Sequence, residues 1–120
     1  MDSETNLQEL KELTKKFCDD RDWGKYHDAK NLAIGVVTEG SELLEHFRFK
    51  NEKEIEEMFS DKEKKREICE EMSDVLYFIP RMAQRYGIDL ATEFRKKMEK
   101  NSKRYPVEKS KGLNKKYTEY

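Results

Sequence analysis

Apolar side chains recur at intervals of three and four residues along most of this chain, and that period limits the possible folds more than any other feature. When successive residues are stepped by about 100°, the apolar residues of each segment fall on one face, as in an amphipathic α-helix. We therefore expect an all-α fold in which four to five helices form a helical bundle. The expected helices cover Ser3–Cys18, Asp28–Phe49, Glu52–Phe59, Asp61–Tyr86 and a last segment that begins near Asp89 and stops before Pro106.

The composition favours long solvated helix faces around a small core. Charged residues make up 42% of the 120 residues and hydrophobic residues only 35%, so one chain has few ways to cover several long apolar stripes. We expect oligomerisation to complete the bundle, since homodimers are the commonest solution. The length corresponds to a single domain over residues 1–120, with residues 107–120 as an extended C-terminal tail.

Charge and hydropathy argue against two classes of partner. The net charge is −1, so the chain has no general positive field for nucleic acid. No apolar run approaches the ~20 residues of a membrane span, and the polar N-terminus does not resemble a signal peptide. We expect a cytoplasmic protein in which Cys18 and Cys69 are reduced, partly buried thiols.

Glycine and proline mark unusual positions inside two of the expected helices. Gly35 and Gly40 each lower helix propensity by up to ~1 kcal/mol, which indicates that another helix or a ligand approaches closely there. Pro80 removes one backbone hydrogen bond and is expected to kink the fourth long segment. Gly87 is expected to end that helix as a C-cap.

Helix starts and core faces follow from the same pattern. Ser3 and Asp28 are the expected N-caps of the first two helices. The expected core stripes of the two longest helices comprise Ala33, Val36, Val37, Gly40, Leu43, Leu44 and Phe47, and then Ile68, Met72, Val75, Ile79, Met82 and Tyr86.

Two pairs of carboxylates border these core stripes. Glu39 and Glu42 are three residues apart on one helix, and Glu71 and Asp74 repeat that spacing on another, so the members of each pair point the same way. Packing the two apolar faces together would bring all four carboxylates to one edge of the helix pair. These four residues are the candidate catalytic and metal-binding residues.

Carboxylates gathered in this way repel each other unless cations lie between them. Hard oxygen ligands suit Mg²⁺, which commonly also takes phosphate oxygens of a substrate. The pattern therefore points to metal-assisted chemistry on a phosphate ester or anhydride, in which the metal activates water and neutralises developing charge. A di-iron bundle is disfavoured because the chain contains no Glu-x-x-His. Solvated helix faces remain an alternative, since Glu is common on exposed helices.

The order and spacing of several segments resemble the MazG-like nucleotide pyrophosphohydrolases, and especially their dCTP pyrophosphatase branch. The resemblance extends over nearly everything from Phe17 onward. The matching segments are RDWGKYHDAKNLA (Arg21–Ala33), EGSELLEHF (Glu39–Phe47), EEMSDVLYF (Glu70–Phe78), GIDL (Gly87–Leu90), KMEKNSKRYP (Lys97–Pro106) and KYTEY (Lys116–Tyr120).

The resemblance implies an all-α enzyme that pairs into a homodimer or a homotetramer built as a dimer of dimers. It implies Mg²⁺-dependent cleavage between the α- and β-phosphates of a nucleoside triphosphate, most specifically dCTP or a modified dCTP, in nucleotide-pool house-cleaning. It also implies that the four carboxylates bind Mg²⁺. The remaining expected substrate-binding residues are Trp23 and His27 at the nucleoside end, Lys97 and Asn101 at phosphate and sugar, Phe78 against the sugar, and Arg85.

Several residues depart from that branch and affect the expected specificity. Thr14 stands where relatives can carry a histidine, Phe49 replaces a tryptophan and Phe78 replaces a tyrosine, and Pro80 is unusual in its helix. For Arg81 the expected role is pairing with a neighbouring glutamate.

Two alternatives stay open from the residues. The chain could be a MazG-like hydrolase of broad or dUTP specificity. It could also be a non-enzymatic helical interaction module whose acidic ridge binds a basic partner.

Overall fold

The computed structural model describes all 120 residues and contains helices and turns but no strand. This confirms the expected all-α class. The α-helices are α1 (Leu7–Asp19), α2 (Ala29–Phe47), α3 (Glu52–Ser60), α4 (Lys62–Arg85), α5 (Leu90–Arg104) and α6 (Val107–Ser110), and short 3-10 turns cover Gly24–Tyr26 and Tyr117–Glu119. None of these helices combines the length and the apolar composition needed to cross a membrane.

Each of the five long helices begins at an Asn or Asp whose side chain accepts a hydrogen bond from the first turn. The expected cap Asp28 is confirmed, with its carboxylate accepting from the Asn31 amide at 2.8 Å. The expected cap Ser3 is wrong, because Asn6 starts α1. Asn6 accepts from the Glu9 amide at 3.0 Å while the Glu9 carboxylate accepts from the Asn6 amide at 2.9 Å, and this reciprocal pair fixes the helix start.

The chain forms two compact units, residues 1–87 and 88–120. In the first unit α4 packs against α1, α2 and α3, so this longest helix is the common partner of the other three. The buried side chains are Cys18, Leu32, Ile68, Pro80, Arg81 and Ala83. Cys18 and Cys69 are both free thiols, and Cys69 is exposed where partial burial was expected.

The expected core stripes are only partly correct. Ile68 is buried, but Val37 is 69% exposed and Met72 is 54% exposed, and Leu44 and Ile79 are exposed as well. Leu32, which lies outside the expected stripe, is instead buried. The reason is geometric: each helix carries a wider apolar face than the chain's other helices can cover, so part of each face stays open in one protomer.

α2 and α4 pack closely at Gly35. A Cβ atom placed on Gly35 would overlap the ring of Phe78, so only glycine leaves room for that ring. The expected close approach is thus confirmed at Gly35. At Gly40 no atom of this chain lies within 4 Å of the corresponding Cβ position, so no other helix of the chain approaches closely there, and the expected approach of a ligand at Gly40 stays a prediction.

α4 continues through the buried Pro80 to Arg85, and Gly87 follows with a left-handed φ of +63°, as expected for a C-cap glycine. In the second unit, the tail is not extended throughout. The Tyr105 ring meets the rings of Tyr117 and Tyr120 edge-on at 5.9 and 6.1 Å, and the Arg104 guanidinium lies 4.7 Å from the Tyr117 ring centre. These contacts hold residues after α6 against the end of α5.

Candidate functional site

Three carboxylates from α2 and α4 converge in the first unit. One oxygen from each of Glu39, Glu42 and Glu71 lies within 4.8 Å of the other two. The three-residue spacing of Glu39 and Glu42 places both on one side of α2, and the packing of α2 on α4 brings Glu71 to them. Asp74 is outside this group of three, although its charge acts on both Glu39 and Glu71.

The environment of this acidic group disfavours ionisation. The pKa of Glu39 is raised above its ordinary value, first by burial, then by the hydrogen bond and the charge of Glu42, and then by the charges of Asp74 and Glu71. Burial and the neighbouring charge of Glu42 likewise raise the pKa of Glu71. Carboxylates that repel each other in this way gain when a cation shares their oxygens.

Glu71 Oε2 is a buried oxygen with no hydrogen-bond partner in the protein. Buried polar atoms in folded proteins are nearly always paired, so this carboxylate oxygen is available to an ion, a ligand or a water. The donor set of the group is oxygen only, which suits a hard divalent cation better than a soft transition metal. These residues therefore fit Mg²⁺.

A second group of candidate residues lies around the 3-10 turn and the end of α4. The rings of Trp23 and His27 meet edge-on with centres 6.3 Å apart. Arg85 Nη1 donates to the Gly24 carbonyl at 2.8 Å, which fastens the turn to α4. Ten residues separate Glu71 from Arg81 on α4, so the two groups are about 15 Å apart along the helix axis.

Arg81 corrects one expectation. Pairing with a glutamate was expected, but the Arg81 side chain is 3% exposed and forms no ion pair within 4 Å. Its Nε–H instead donates to His27 Nδ1 at 3.2 Å, and its Nη1 donates to Gln84 Oε1. Helical spacing predicts contacts with residues three or four positions away, such as a neighbouring glutamate. It does not predict a contact with His27, which is 54 residues away in the chain.

The other expected substrate-binding residues are Phe78, Lys97 and Asn101. Phe78 packs its ring over Gly35 and meets the Tyr77 ring edge-on at 5.0 Å, so it supports the contact between α2 and α4. Lys97 and Asn101 lie on α5 in the second unit, one helical turn apart, with Lys97 exposed and Asn101 half-buried.

Two positions that depart from the resembled branch have clear local structures. The Thr14 hydroxyl donates to the Lys11 carbonyl at 3.0 Å, and Thr14 borders an apolar groove of about 300 Å³ between α1 and α4. Phe49 has a left-handed φ of +63° and is 90% exposed, with the Arg48 guanidinium 4.7 Å from its ring centre.

Comparison with known proteins identifies the family of this chain. A family model described as MazG-like matches residues 34–120, which is well over half of the chain. The chain belongs to the MazG-like family. The matched region includes all four candidate carboxylates, Glu39, Glu42, Glu71 and Asp74. The fold and the family that were expected from the sequence are confirmed.

Curated relatives and a solved structure agree with this assignment. dCTP pyrophosphatase 1 of Bos taurus is 34% identical over 98% of this chain and 69% of its own length, and the Homo sapiens protein of that name is 33% identical over 97% of this chain and 68% of its own. The crystal structure of a pyrophosphatase from Archaeoglobus fulgidus superimposes with a TM-score of 0.76 at 36% identity, covering 82% of this chain and 91% of that one.

The chain is a nucleoside triphosphate pyrophosphohydrolase. MazG-like pyrophosphatases generally depend on a divalent metal, and the acidic group between α2 and α4 is the place in this chain that fits one. The interpretation of the acidic pairs as the ridge of a non-enzymatic interaction module is therefore wrong.

Proposed function

We propose that this enzyme hydrolyses dCTP or a base-modified dCTP to the monophosphate and pyrophosphate, with Mg²⁺, and so removes unwanted cytosine nucleotides from the cellular pool. The observation that carries the proposal is the convergence of Glu39, Glu42 and Glu71, with an orphaned buried oxygen, in a chain that aligns over nearly its whole length with dCTP pyrophosphatases.

The acidic group would hold the metal. Glu39, Glu42 and Glu71 offer oxygens within 4.8 Å of one another, and Asp74, whose charge acts on Glu39 and Glu71, is the candidate for a fourth carboxylate from α4. Bound Mg²⁺ supplies water activation and neutralises charge on the phosphates. Among the chain's own groups, a carboxylate of this set, such as Glu42, is the candidate for accepting the proton of the attacking water.

The other proposed substrate contacts are assigned residue by residue. Trp23 offers an aromatic surface beside His27, suited to a base, and Arg85 lies near both. Lys97 and Asn101 on α5 are the candidate contacts to phosphate and sugar, and Phe78 remains a candidate neighbour of the deoxyribose.

Release of pyrophosphate from dCTP, with and without Mg²⁺, tests the proposal. We expect metal-dependent release that Glu71→Gln abolishes. Glu63→Gln is the matched control, because Glu63 lies two turns earlier on α4 and is paired with Arg66 on the exposed surface. Equal rates from Glu71→Gln and wild type would contradict the proposed metal site.

Base and sugar specificity need a substrate panel. We expect dCTP to exceed dUTP, dTTP and the purine nucleotides in kcat/KM. A flat profile, or a preference for dUTP, would favour the second candidate function, a MazG-like hydrolase of broad or dUTP specificity. Equal kcat/KM for dCTP and CTP would remove the proposed role of Phe78 beside the deoxyribose.

We also propose that the enzyme works as a homodimer or a homotetramer. Apolar side chains on α2 and α4 stay open in one protomer, among them Ile34, Val37, Leu44, Met72 and Leu76. Large exposed apolar surfaces of this kind commonly mark contacts between protein chains.

A further inference from the structure

The buried guanidinium of Arg81 lies against His27, at the nucleoside end of the proposed site. Arg81 Nε donates to His27 Nδ1 at 3.2 Å, and Arg81 Nη1 donates to Gln84 Oε1. Only 3% of Arg81 is exposed, which leaves it little access to a ligand of its own. The charge of Arg81 acts on the Asp19 carboxylate, but no carboxylate lies within 4 Å of the guanidinium, so the hydrogen bonds of this buried cation go to the neutral groups of His27 and Gln84.

The chemistry of the two side chains determines the proton position on the imidazole. A guanidinium has five N–H donors and no acceptor, so the ring atom that it contacts must present a lone pair. Nδ1 is therefore unprotonated, and the single proton of the neutral ring is on Nε2. A doubly protonated ring would turn an N–H towards the guanidinium and place two cations in contact.

The surroundings of His27 favour the same neutral state. Burial, followed by the charges of Arg81 and Arg85, holds the pKa of His27 below its ordinary value. His27 Nε2 has no hydrogen-bond partner in the chain and is not among the buried atoms that lack one. The ring thus presents one N–H group, next to the Trp23 indole.

We propose that Arg81 is a positioning residue that fixes His27 as the Nε2–H tautomer, so that His27 donates one hydrogen bond to an acceptor atom of the nucleobase. The proposal rests on the proposed function, since it assigns the base to the surface formed by Trp23 and His27. Cytosine offers two adjacent acceptors, O2 and N3, whereas N3 of uracil carries a proton. Because uracil also presents O2 as an acceptor, the donor favours cytosine over uracil only through a contact with N3.

Nitrogen-15 NMR of the histidine side chains in substrate-free protein tests the first step. We expect the wild-type His27 spectrum to show an unprotonated Nδ1 and a protonated Nε2 near neutral pH. In Arg81→Met the two tautomers are expected to mix. Predominant protonation of Nδ1 in the wild type would overturn the proposal, whether or not any variant folds.

A double-mutant cycle on dCTP hydrolysis tests the second step. Arg81→Met is expected to raise KM roughly tenfold while kcat changes much less, because one oriented hydrogen bond to the base is lost. In His27→Gln, whose amide places a donor near the former Nε2 position, adding Arg81→Met is expected to have no further effect on KM. A similar loss in both backgrounds would show that Arg81 only supports the fold, and would overturn the proposal.

Inhibition by pyrophosphate distinguishes contact with the base from contact with phosphate. Pyrophosphate has no base, so its inhibition constant is expected to be the same for wild type and Arg81→Met, and a weakened inhibition would overturn the assignment to the nucleobase. If Arg81→Met does not fold, Arg81→Lys replaces it in these experiments, because lysine keeps the positive charge and lacks the Nε–H. The results expected from Arg81→Met, and those that would overturn the proposal, apply unchanged to Arg81→Lys. A wild-type enzyme inactive on every nucleotide would overturn the proposed function as well, whereas the wrong tautomer in an active enzyme overturns only the role of Arg81.

Discussion

Among the carboxylates of the proposed metal site, Glu71 is the one whose side chain most clearly lacks a partner. Its Oε2 is buried and unpaired, and its neighbours Glu42 and Asp74 add negative charge. Without a cation these groups destabilise the folded state, because unfolding separates them and returns them to water. A bound metal reverses that effect and also binds only the folded arrangement.

Mg²⁺ is therefore expected to raise the melting temperature of the wild-type protein and not that of Glu71→Gln. A metal present at about 100 times its Kd would stabilise the fold by about 2.7 kcal/mol. Without metal, Glu71→Gln is expected to be at least as stable as wild type, because one repelling charge is gone. Thermal unfolding with Mg²⁺ and with Na⁺ at equal ionic strength measures this. An equal shift in both proteins would mean that the ion binds elsewhere.

His27 gives the protein a pH-dependent term in its free energy of unfolding. Its pKa in the folded state lies below the ordinary value of 6.5, so the unfolded chain binds the proton first as the pH falls. The contribution is fully present above pH 6.5 and is lost as the pH falls from 6.5 through the lowered folded-state value.

We expect His27→Gln to flatten the fall in stability between about pH 7 and pH 5 relative to wild type. Urea unfolding at a series of pH values measures the slope. His46→Gln is the matched control, because it removes the chain's other histidine and retains the contact between His27 and Arg81. An unchanged slope in His27→Gln would contradict the burial and charge environment described for this ring.

At the scale of the elements, the contact between α2 and α4 sets the geometry of the site. The acidic residues of α2 follow Gly35 by one and two turns, so the distance at which Phe78 holds the two helices apart also positions Glu39 and Glu42 relative to Glu71. A glycine in a helix interior normally costs stability, and here the close fit of an aromatic ring offsets that cost.

Gly35→Ala is expected to destabilise the fold by about 1–3 kcal/mol, because the new methyl group overlaps the Phe78 ring. Gly40→Ala on the same helix meets no neighbour within 4 Å in the chain and is expected to stabilise by up to about 1 kcal/mol. Chemical denaturation of the two variants measures the difference. A loss of stability that is the same for both would contradict the specific role of the contact with Phe78.

At the scale of the whole molecule, one protomer leaves much of its apolar helix surface in water. Val37 on α2 is 69% exposed and Met72 on α4 is 54% exposed, while few side chains are fully buried. A core this small gives limited stability to a chain of 120 residues, and association would bury the open faces. Assembly and stability are therefore expected to be linked.

Val37→Glu is expected to shift the enzyme towards monomers and to lower its melting temperature. A charge buried in an apolar contact is costly, whereas in an isolated protomer the same side chain would be solvated. Sedimentation velocity over a range of concentrations measures the assembly. Lys53→Gln, which changes the net charge by the same amount at an exposed position on α3, is the control and is expected to leave the assembly unchanged. A wild-type protein that is monomeric at all concentrations would contradict the proposed oligomer.

The helical class and the residues of the acidic group were predictable from the sequence because both depend on local spacing. A period near 3.6 defines an amphipathic helix wherever it occurs, and a spacing of three places Glu39 beside Glu42 regardless of what surrounds them. The caps at Asp28 and Gly87 followed from the same local rules. The error at Ser3 was also local, since Asn6 and Glu9 form the stronger reciprocal cap.

Contacts between residues distant in the chain were decided by the tertiary structure. Helical spacing could not tell which part of a wide apolar face would be covered, and so Leu32 is buried while Val37 is open. Helical spacing also could not predict the hydrogen-bond partner of Arg81. A charged side chain can bond to several groups, and helix packing decides which of them lies within reach. The sequence by itself determined the helices and the four candidate ligands. Only the packing of α2 on α4 gathered Glu39, Glu42 and Glu71 into one group and turned Arg81 towards His27, because side chains far apart in the chain meet only where helix packing brings them together.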